Sequence, residues 1–260
     1  MGVHWIDTSI VSLRLGREQA GDRRARQPTS ITLEHGDILV VNSTSYLDIL
    51  YLMARWTPVF TRVYGDRVEV LSFWQAIRQC AEATPPTTAA AATRTNTLTL
   101  EELARKVKAQ RRGPIIVQPE ATTSNGRALL RFAPIFRHFD PALVGVSVRI
   151  ATFRYPYHYF CPTFSFGNQW RHFFILCCQY HTPMTVKYLA PSKCPTTTPS
   201  SMSTSLSADK QHGDDDPLGE EIAVLMGQMS RLRRMQLSVH DKYEFLQFYE
   251  QRNDGRVRRR

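Results

Sequence analysis

The sequence predicts an α/β fold, a sheet flanked by helices with a C-terminal helical appendage, on three observations. Short apolar runs alternate with helix-period segments from about residue 31 to residue 192. The composition, 42% hydrophobic and 22% charged over 260 residues, is ordinary globular usage and leaves room for one sizeable core. The run Pro114 to Val117 leads through Gln118 and Pro119 to Glu120, Thr122 and Thr123, setting a carboxylate and hydroxyls at a strand end, where open α/β sheets bind ligands. Arg127 follows closely and suits a phosphate.

In chain order, residues 1–30 form an N-terminal segment that is semi-apolar from Trp5 to Val11 and turns into a basic loop at Arg23, Arg24 and Arg26. The α/β domain spans 31–192. Gly36 to Asn42 reads as a buried strand, and Tyr46 to Arg55 as a helix with Leu47, Leu50, Tyr51 and Ala54 on one face. Ala83 to Thr97, rich in Ala, Thr and Pro, reads as a disordered insertion. Leu100 to Arg111 has Leu100, Leu103, Ala104 and Val107 on one helical face and a capping box from Thr99 to Glu102. Further strands are expected at 115–118, 143–148 and 184–189. Residues 193–217, with Ser, Thr, Pro and the acidic run Asp214 to Asp216, read as a disordered linker. Residues 218–250 are a C-terminal helical region, with Ile222, Leu225, Met226, Met229 and Leu232 at helical spacing; the Met pair fits helix packing better than a lipid groove. Residues 251–260 are a basic, solvated tail.

A net charge of +10 favours an anionic partner: a phospholipid surface, nucleic acid, or a phosphorylated or CoA-type substrate. No recognition motif accompanies the arginines, so nucleic acid is not the expected partner. The five cysteines, Cys80, Cys161, Cys177, Cys178 and Cys194, lack the paired spacing of a disulfide framework or zinc site, which fits a reduced, cytosol-facing compartment and no metal. No apolar stretch is long enough to span a bilayer and no signal-peptide run opens the chain, so a membrane would be met from the side. The aromatic run Phe153, Tyr155, Tyr157, Tyr159, Phe160, Phe164, Phe166, Trp170, Phe173 and Phe174, with Arg154, Arg171 and His172 among it, suits a membrane interface and a packed core equally.

Two blocks carry the chemistry. Asn42-Ser43-Thr44-Ser45-Tyr46-Leu47-Asp48 lies where the first strand hands over to its helix, and Pro119-Glu120-Ala121-Thr122-Thr123-Ser124-Asn125-Gly126-Arg127 follows the later strand. Together they resemble the signature blocks of the glycerolipid acyltransferases, the 1-acylglycerol-3-phosphate acyltransferase family: Asn-His, four residues, Asp, and then Pro-Glu-Gly-Thr extended by Thr-Asn-Gly-Arg. The resemblance covers roughly residues 36–190, and Val144 to Arg149 is similar to the family's later strand. Trp5 to Thr8, Asp48 to Leu52 and Ser72 to Ile77 resemble a fungal lysophosphatidic acid:oleoyl-CoA acyltransferase branch.

The resemblance implies a glycerol-3-phosphate acyltransferase-like sheet and transfer of a fatty acyl group from acyl-CoA, the co-substrate, to lysophosphatidic acid or a related lysophospholipid, with no further cofactor. It implies catalytic roles at Ser43 and Asp48, substrate-binding roles at Glu120, Thr122, Thr123 and Arg127, and a phosphate-binding role at Arg78. It also implies the endoplasmic reticulum membrane or lipid droplet as the location, reached peripherally or through an upstream anchor. The chemistry needs a base for the hydroxyl proton and cations or dipoles for the phosphate. Here the family's base His is Ser43, and its Gly is Ala121. A serine hydroxyl does not titrate near neutrality, and losing a positioned base costs a factor of about 10² to 10⁴ in rate. Alanine is also penalised where glycine allows positive φ. His138, His158, His172 and His181 are candidate replacements, whereas His35 lies about 25 Å away at the opposite strand end.

Each block also has a structural explanation. Ser45 to Asp48 is a capping-box pattern, Glu120 suits an exposed strand end, and Asn125-Gly126 suits a tight turn. A non-catalytic descendant that binds lysophospholipid or acyl-CoA, or scaffolds membrane proteins, is the alternative to an enzyme.

Overall fold

A computed structural model describes residues 6–11, 31–81, 96–157, 160–165, 167–180, 182–196 and 216–257. The expectations for the basic loop at 23–26, most of the Ala/Thr/Pro insertion, most of the linker, the end of the tail, and for His158, Tyr159, Phe166 and His181 lie outside the described residues.

The chain forms a mixed sheet with helices on both faces. In order come β1 (Ile6–Val11), β2 (Ile38–Val41), α1 (Tyr46–Trp56), β3 (Val59–Tyr64), β4 (Arg67–Leu71), α2 (Phe73–Gln79), β5 (Thr97–Thr99), α3 (Leu100–Ala109) and β6 (Ile115–Val117). There follow β7 (Ala128–Leu129), α4 (Pro141–Val144), β8 (Val148–Arg154), α5 (Gln169–Cys178), β9 (Met184–Leu189), α6 (Pro217–Ser230), β10 (Arg233–Arg234) and α7 (Val239–Val257). Eight strands are arranged β1-β9-β8-β2-β6-β3-β4-β5, and β10 pairs separately with β7. The centre, β8-β2-β6-β3, is parallel; β9 runs antiparallel to β8, and β4 runs antiparallel to both β3 and β5.

β2 shows why these residues make this sheet. A central parallel strand is covered on both faces and reads as a continuous apolar run rather than an alternating one. Ile38 and Val40 pack on one side with α3 and α6, and Leu39 and Val41 on the other with α1 and α2. All four are fully buried, each burial stabilising the fold by about 1.5–3 kcal/mol relative to exposure.

Several expectations are corrected. The strand expected at 143–148 begins only at Val148, because Asp140 caps a short helix by accepting from the Ala142 N–H, Pro141 opens it, and Gly145 ends it at φ 65°. The C-terminal region is two helices, not one: Arg231 ends α6 in the left-handed conformation at φ 56°, and α7 starts afresh after β10. Nor is this region an appendage. Leu218, Ile222, Met226 and Met229 of α6 are buried in the same cluster as β2 and β6, completing one helical layer, with the two methionines packed there. The N-terminal segment contributes β1, parallel to β9 with Ile6 opposite Met184, and helix α7 runs on to Val257, into what the sequence suggested was tail.

Candidate active site

The two blocks meet at the carboxyl ends of neighbouring parallel strands. Asn42 directly follows β2, and its side chain continues the ladder to β8: Oδ1 accepts from the Phe153 N–H at 2.7 Å and Nδ2 donates to the Phe153 carbonyl at 3.0 Å. Ser45 then caps α1, and the Asp48 carboxylate turns back to accept from the Thr44 and Ser45 N–H groups at 2.8 and 2.9 Å through Oδ2. Its other oxygen, Oδ1, accepts from the Tyr155 hydroxyl, which follows β8. Asp48 is fully buried and carries the capping role its spacing permits. Three donors occupy the carboxylate, and among the described residues no histidine bonds to it.

The second block lies against the first. The Ser124 N–H donates to the Ser43 carbonyl at 2.8 Å, and a Cβ on Gly126 would come within 3.3 Å of the Thr44 methyl. Ala121 has φ 54°, the left-handed region in which an alanine pays about 1–2 kcal/mol that a glycine does not. Glu120 is not the exposed strand-end carboxylate a lone glutamate suggests: it is 1% exposed, with Oε2 accepting from the Leu130 N–H at 3.2 Å and Oε1 making no hydrogen bond. Thr122 and Thr123 are buried beside it. Arg127 is exposed at the end of the loop, its guanidinium 5.7 Å from the Tyr157 ring centre. Arg78, on the last turn of α2, is two residues from Cys80, whose carbonyl accepts from the Thr123 hydroxyl at 3.5 Å. The fold thus gathers Ser43, Asp48, Glu120, Thr122 and Thr123 in one buried cluster, with Arg127 on its exposed rim and Arg78 on the helix that adjoins Thr123.

Residues from far along the chain close over the cluster. The Pro162 carbonyl accepts from the Ser45 hydroxyl at 2.7 Å, and the Thr163 hydroxyl donates to the Ser124 carbonyl at 3.2 Å. Lys242 of α7 reaches in from the C-terminal region, donating to the Thr123 carbonyl at 2.6 Å and hydroxyl at 2.9 Å. Tyr155 and Lys242 were not singled out as site residues from the sequence. Tyr155 was one of ten aromatics; the signal for Lys242 was a lone cation among Tyr243, Phe245, Leu246 and Phe248, just past the Ser238-to-Asp241 cap.

Of the candidate replacement bases, His138 is exposed; His35, set aside as too distant, bonds to the Arg112 carbonyl. His172 packs against Tyr46, Phe160 and Phe164; its Nε2 lies 3.1 Å from the Cys161 carbonyl, its Nδ1 is buried without a partner, and burial holds its pKa below the usual value. The aromatic run divides between the two environments suggested for it: Phe153, Tyr155 and Phe164 are buried, while Trp170 and Phe174 stand exposed on α5.

Burial dominates the electrostatics. It pushes Asp48 up to about 7, opposed by the Tyr155 hydroxyl and the two capping N–H groups. Glu120 rises to about 8, opposed by the Leu130 and Ser43 N–H groups, the Ser124 hydroxyl and the Lys242 charge. Lys242 falls to about 8, with Glu120 and Cys80 pulling the other way. Burial and the neighbouring Asp48 raise the Cys80 thiol. Burial thus moves Asp48, Glu120 and Lys242 toward neutrality, the direction in which a general acid or base is tuned. All five cysteines are free, and among the described residues no group of side chains is placed to hold a metal ion and no helix is long and apolar enough to cross a membrane.

No family model matches this chain, and neither a curated protein nor a solved structure matches it.

Proposed function

We propose that this protein is an acyl-CoA-dependent acyltransferase acting on lysophosphatidic acid or a related lysophospholipid, working at a membrane surface on the cytosolic side of the endoplasmic reticulum or a lipid droplet. The observation that carries this reading is the joining of the Asn42–Asp48 and Pro119–Arg127 blocks at the carboxyl ends of adjacent parallel strands, through the Ser124-to-Ser43 hydrogen bond. In the transfer, an acceptor hydroxyl attacks the thioester carbonyl carbon, its proton passes to a base, and the C–S bond breaks to release CoA thiolate, which takes up a proton. Arg127 and Arg78 supply positive charge for the phosphate, Thr122 supplies a hydroxyl while that of Thr123 is engaged by Lys242 and the Cys80 carbonyl, and Glu120, whose Oε1 makes no hydrogen bond, is the available proton acceptor. Asp48 holds the Ser43–Ser45 turn in shape. Exposed Trp170 and Phe174, on a chain of net charge +10, suit an anionic lipid surface.

A second reading, a binding protein that retains the site without turnover, is favoured by the saturation of Asp48 and the Ser at position 43. The test is to incubate purified protein with labelled oleoyl-CoA and lysophosphatidic acid, alongside Ser43→His and Glu120→Gln, with binding of both substrates followed by calorimetry. Turnover in the wild type that falls about 10²-fold or more in Glu120→Gln supports the enzyme. Absent turnover, with binding retained and activity gained in Ser43→His, replaces it with the binding protein. Neither turnover nor binding overturns both. Failure to float with anionic liposomes at low salt would remove the membrane surface from the proposal.

A further inference from the structure

The route by which Lys242 reaches the site is specific. After α6, β10 pairs in parallel with β7, the Met235 N–H donates to the Leu129 carbonyl at 2.9 Å, and the Arg131 N–H donates to the Leu237 carbonyl at 2.9 Å. The residues just after the signature loop therefore form the platform on which the C-terminal chain docks. Ser238 and Asp241 then cap α7, the Asp241 carboxylate accepting from the Ser238 N–H at 2.7 Å and hydroxyl at 2.9 Å. Lys242, the next residue, grips the carbonyl and hydroxyl of one threonine, which fixes both the peptide plane and the side-chain rotamer of Thr123. The same hydroxyl passes its own proton toward the Cys80 carbonyl, so α2, the loop and α7 converge on Thr123.

We propose that Lys242 is a positioning residue of this site, holding the 119–127 loop through Thr123 so that acceptor binding depends on the docked C-terminal helix. The proposal rests on the acyl-transfer reading of that loop. A half-buried lysine is expensive to desolvate, and a cation that spends two donors on one loop residue concentrates that cost where the loop most needs support. The loop carries a left-handed alanine, and such conformations persist only where surrounding contacts over-determine them. Among the described residues, the titratable groups facing Lys242 are the Glu120 carboxyl from the loop and the Cys80 thiol at the end of α2, which its raised pKa keeps neutral, whereas Asp241 on its own helix is turned to Ser238. Glu120 in turn faces Lys242, the Ser43 and Leu130 N–H groups and the Ser124 hydroxyl. The ammonium therefore favours the ionised carboxylate of Glu120, and removing it raises the pH at which that carboxyl loses its proton.

The test compares the full chain with Lys242→Met and Lys242→Arg. Amide hydrogen exchange is followed across 119–131, lysophosphatidic acid binding is measured by calorimetry, and acyl transfer from oleoyl-CoA is measured between about pH 6 and 10. In Lys242→Met, exchange at 119–131 should quicken about 10-fold or more while β2 and β8 stay protected, as loss of charged hydrogen bonds predicts. Acceptor affinity should fall by a similar factor, KM should rise more than kcat falls, and the rising limb of the pH profile should move to higher pH. Lys242→Arg, which keeps the charge and donors, should recover most of the protection and affinity. Unchanged loop exchange or unchanged acceptor affinity in Lys242→Met overturns the proposal, as does exchange that quickens equally across the sheet. If the wild type binds acceptor but transfers nothing, the acyl-transfer reading fails alone, and exchange and affinity still decide the role of Lys242.

Discussion

Asp48 and Glu120 are both buried carboxyl groups, set at the carboxyl edge of one sheet and pushed above the usual carboxylate range by the same desolvation. Their surroundings are opposite. Asp48 receives two backbone N–H groups and a tyrosine hydroxyl, so each oxygen is occupied by a fixed donor. Glu120 accepts the Leu130 N–H on Oε2, while the Ser43 N–H and Ser124 hydroxyl that favour its charge make no hydrogen bond to Oε1. A carboxylate spent on structure is not free for chemistry, whereas a buried oxygen without a partner is costly to keep and calls for a functional explanation. The carboxylate of the first block is thus committed to holding its turn, whereas that of the second keeps one oxygen without a hydrogen bond.

The sharpest way to break this comparison is mutation of each carboxyl. Asp48→Ala strands three buried donors and should cost about 3–5 kcal/mol in urea unfolding, while Glu120→Gln keeps an acceptor for Leu130 and should cost less than about 1 kcal/mol. Equal losses would erase the distinction.

A second effect comes from protons. Folding raises the pKa of Asp48 from 3.8 to about 7 and of Glu120 from 4.5 to about 8, so the folded state binds more protons than the unfolded chain between those values. Their contribution to stability is full below the unfolded pKa values and is lost as pH rises through the folded ones. Lys242, lowered from 10.5 to about 8, has the opposite sign: its contribution is present above the unfolded value and lost as pH falls through about 8. Unfolding free energy measured against pH should thus decline from about pH 4 to a minimum near pH 8 and then recover. Glu120→Gln should flatten the decline, and Lys242→Met should remove the recovery. A wild-type profile that climbs from pH 5 to 8 would contradict the desolvated cluster.

The smallest effect expected is at Ala121. Replacement by glycine relieves the left-handed backbone at φ 54° but frees the unfolded chain, for a net gain of about 0.5–1 kcal/mol by the same urea measurement. A loss would mean that the methyl packs better than its backbone strains.

Much of this was legible in the residues. Continuous apolar runs identified β2 and β6, apolar residues interspersed with Thr185 and Lys187 marked β9, and capping residues fixed the starts of α1 and α3, because these signals are local. The Asn42 and Glu120 blocks also declared themselves as strand-end clusters. Hidden were features set by distant partners. β3 and β4 form a hairpin in which Arg62 and Glu69 sit opposite each other, so charges interrupt the apolar pattern. Helix α5 lay inside an aromatic run without clear helical period. Asp140, Pro141 and Gly145 made a helix where Val144 and Val146 suggested strand. The closure of the site by Tyr155 and Lys242 depends on contacts spanning 107 and 119 residues, which no local window contains.

That last separation has a consequence for synthesis. Thr123 leaves the ribosome long before Lys242 and must wait for a partner 119 residues further along the chain. β2, α1 and β6 are all made early and can pair while translation continues, since domains begin to fold as their N-terminal parts emerge. The 119–127 loop cannot acquire its clamp until α7 has been made. A nascent chain therefore completes its sheet and the α6 layer before the 119–127 loop is clamped, and a chain cut between residues 235 and 238 would keep both while leaving Thr123 without Lys242.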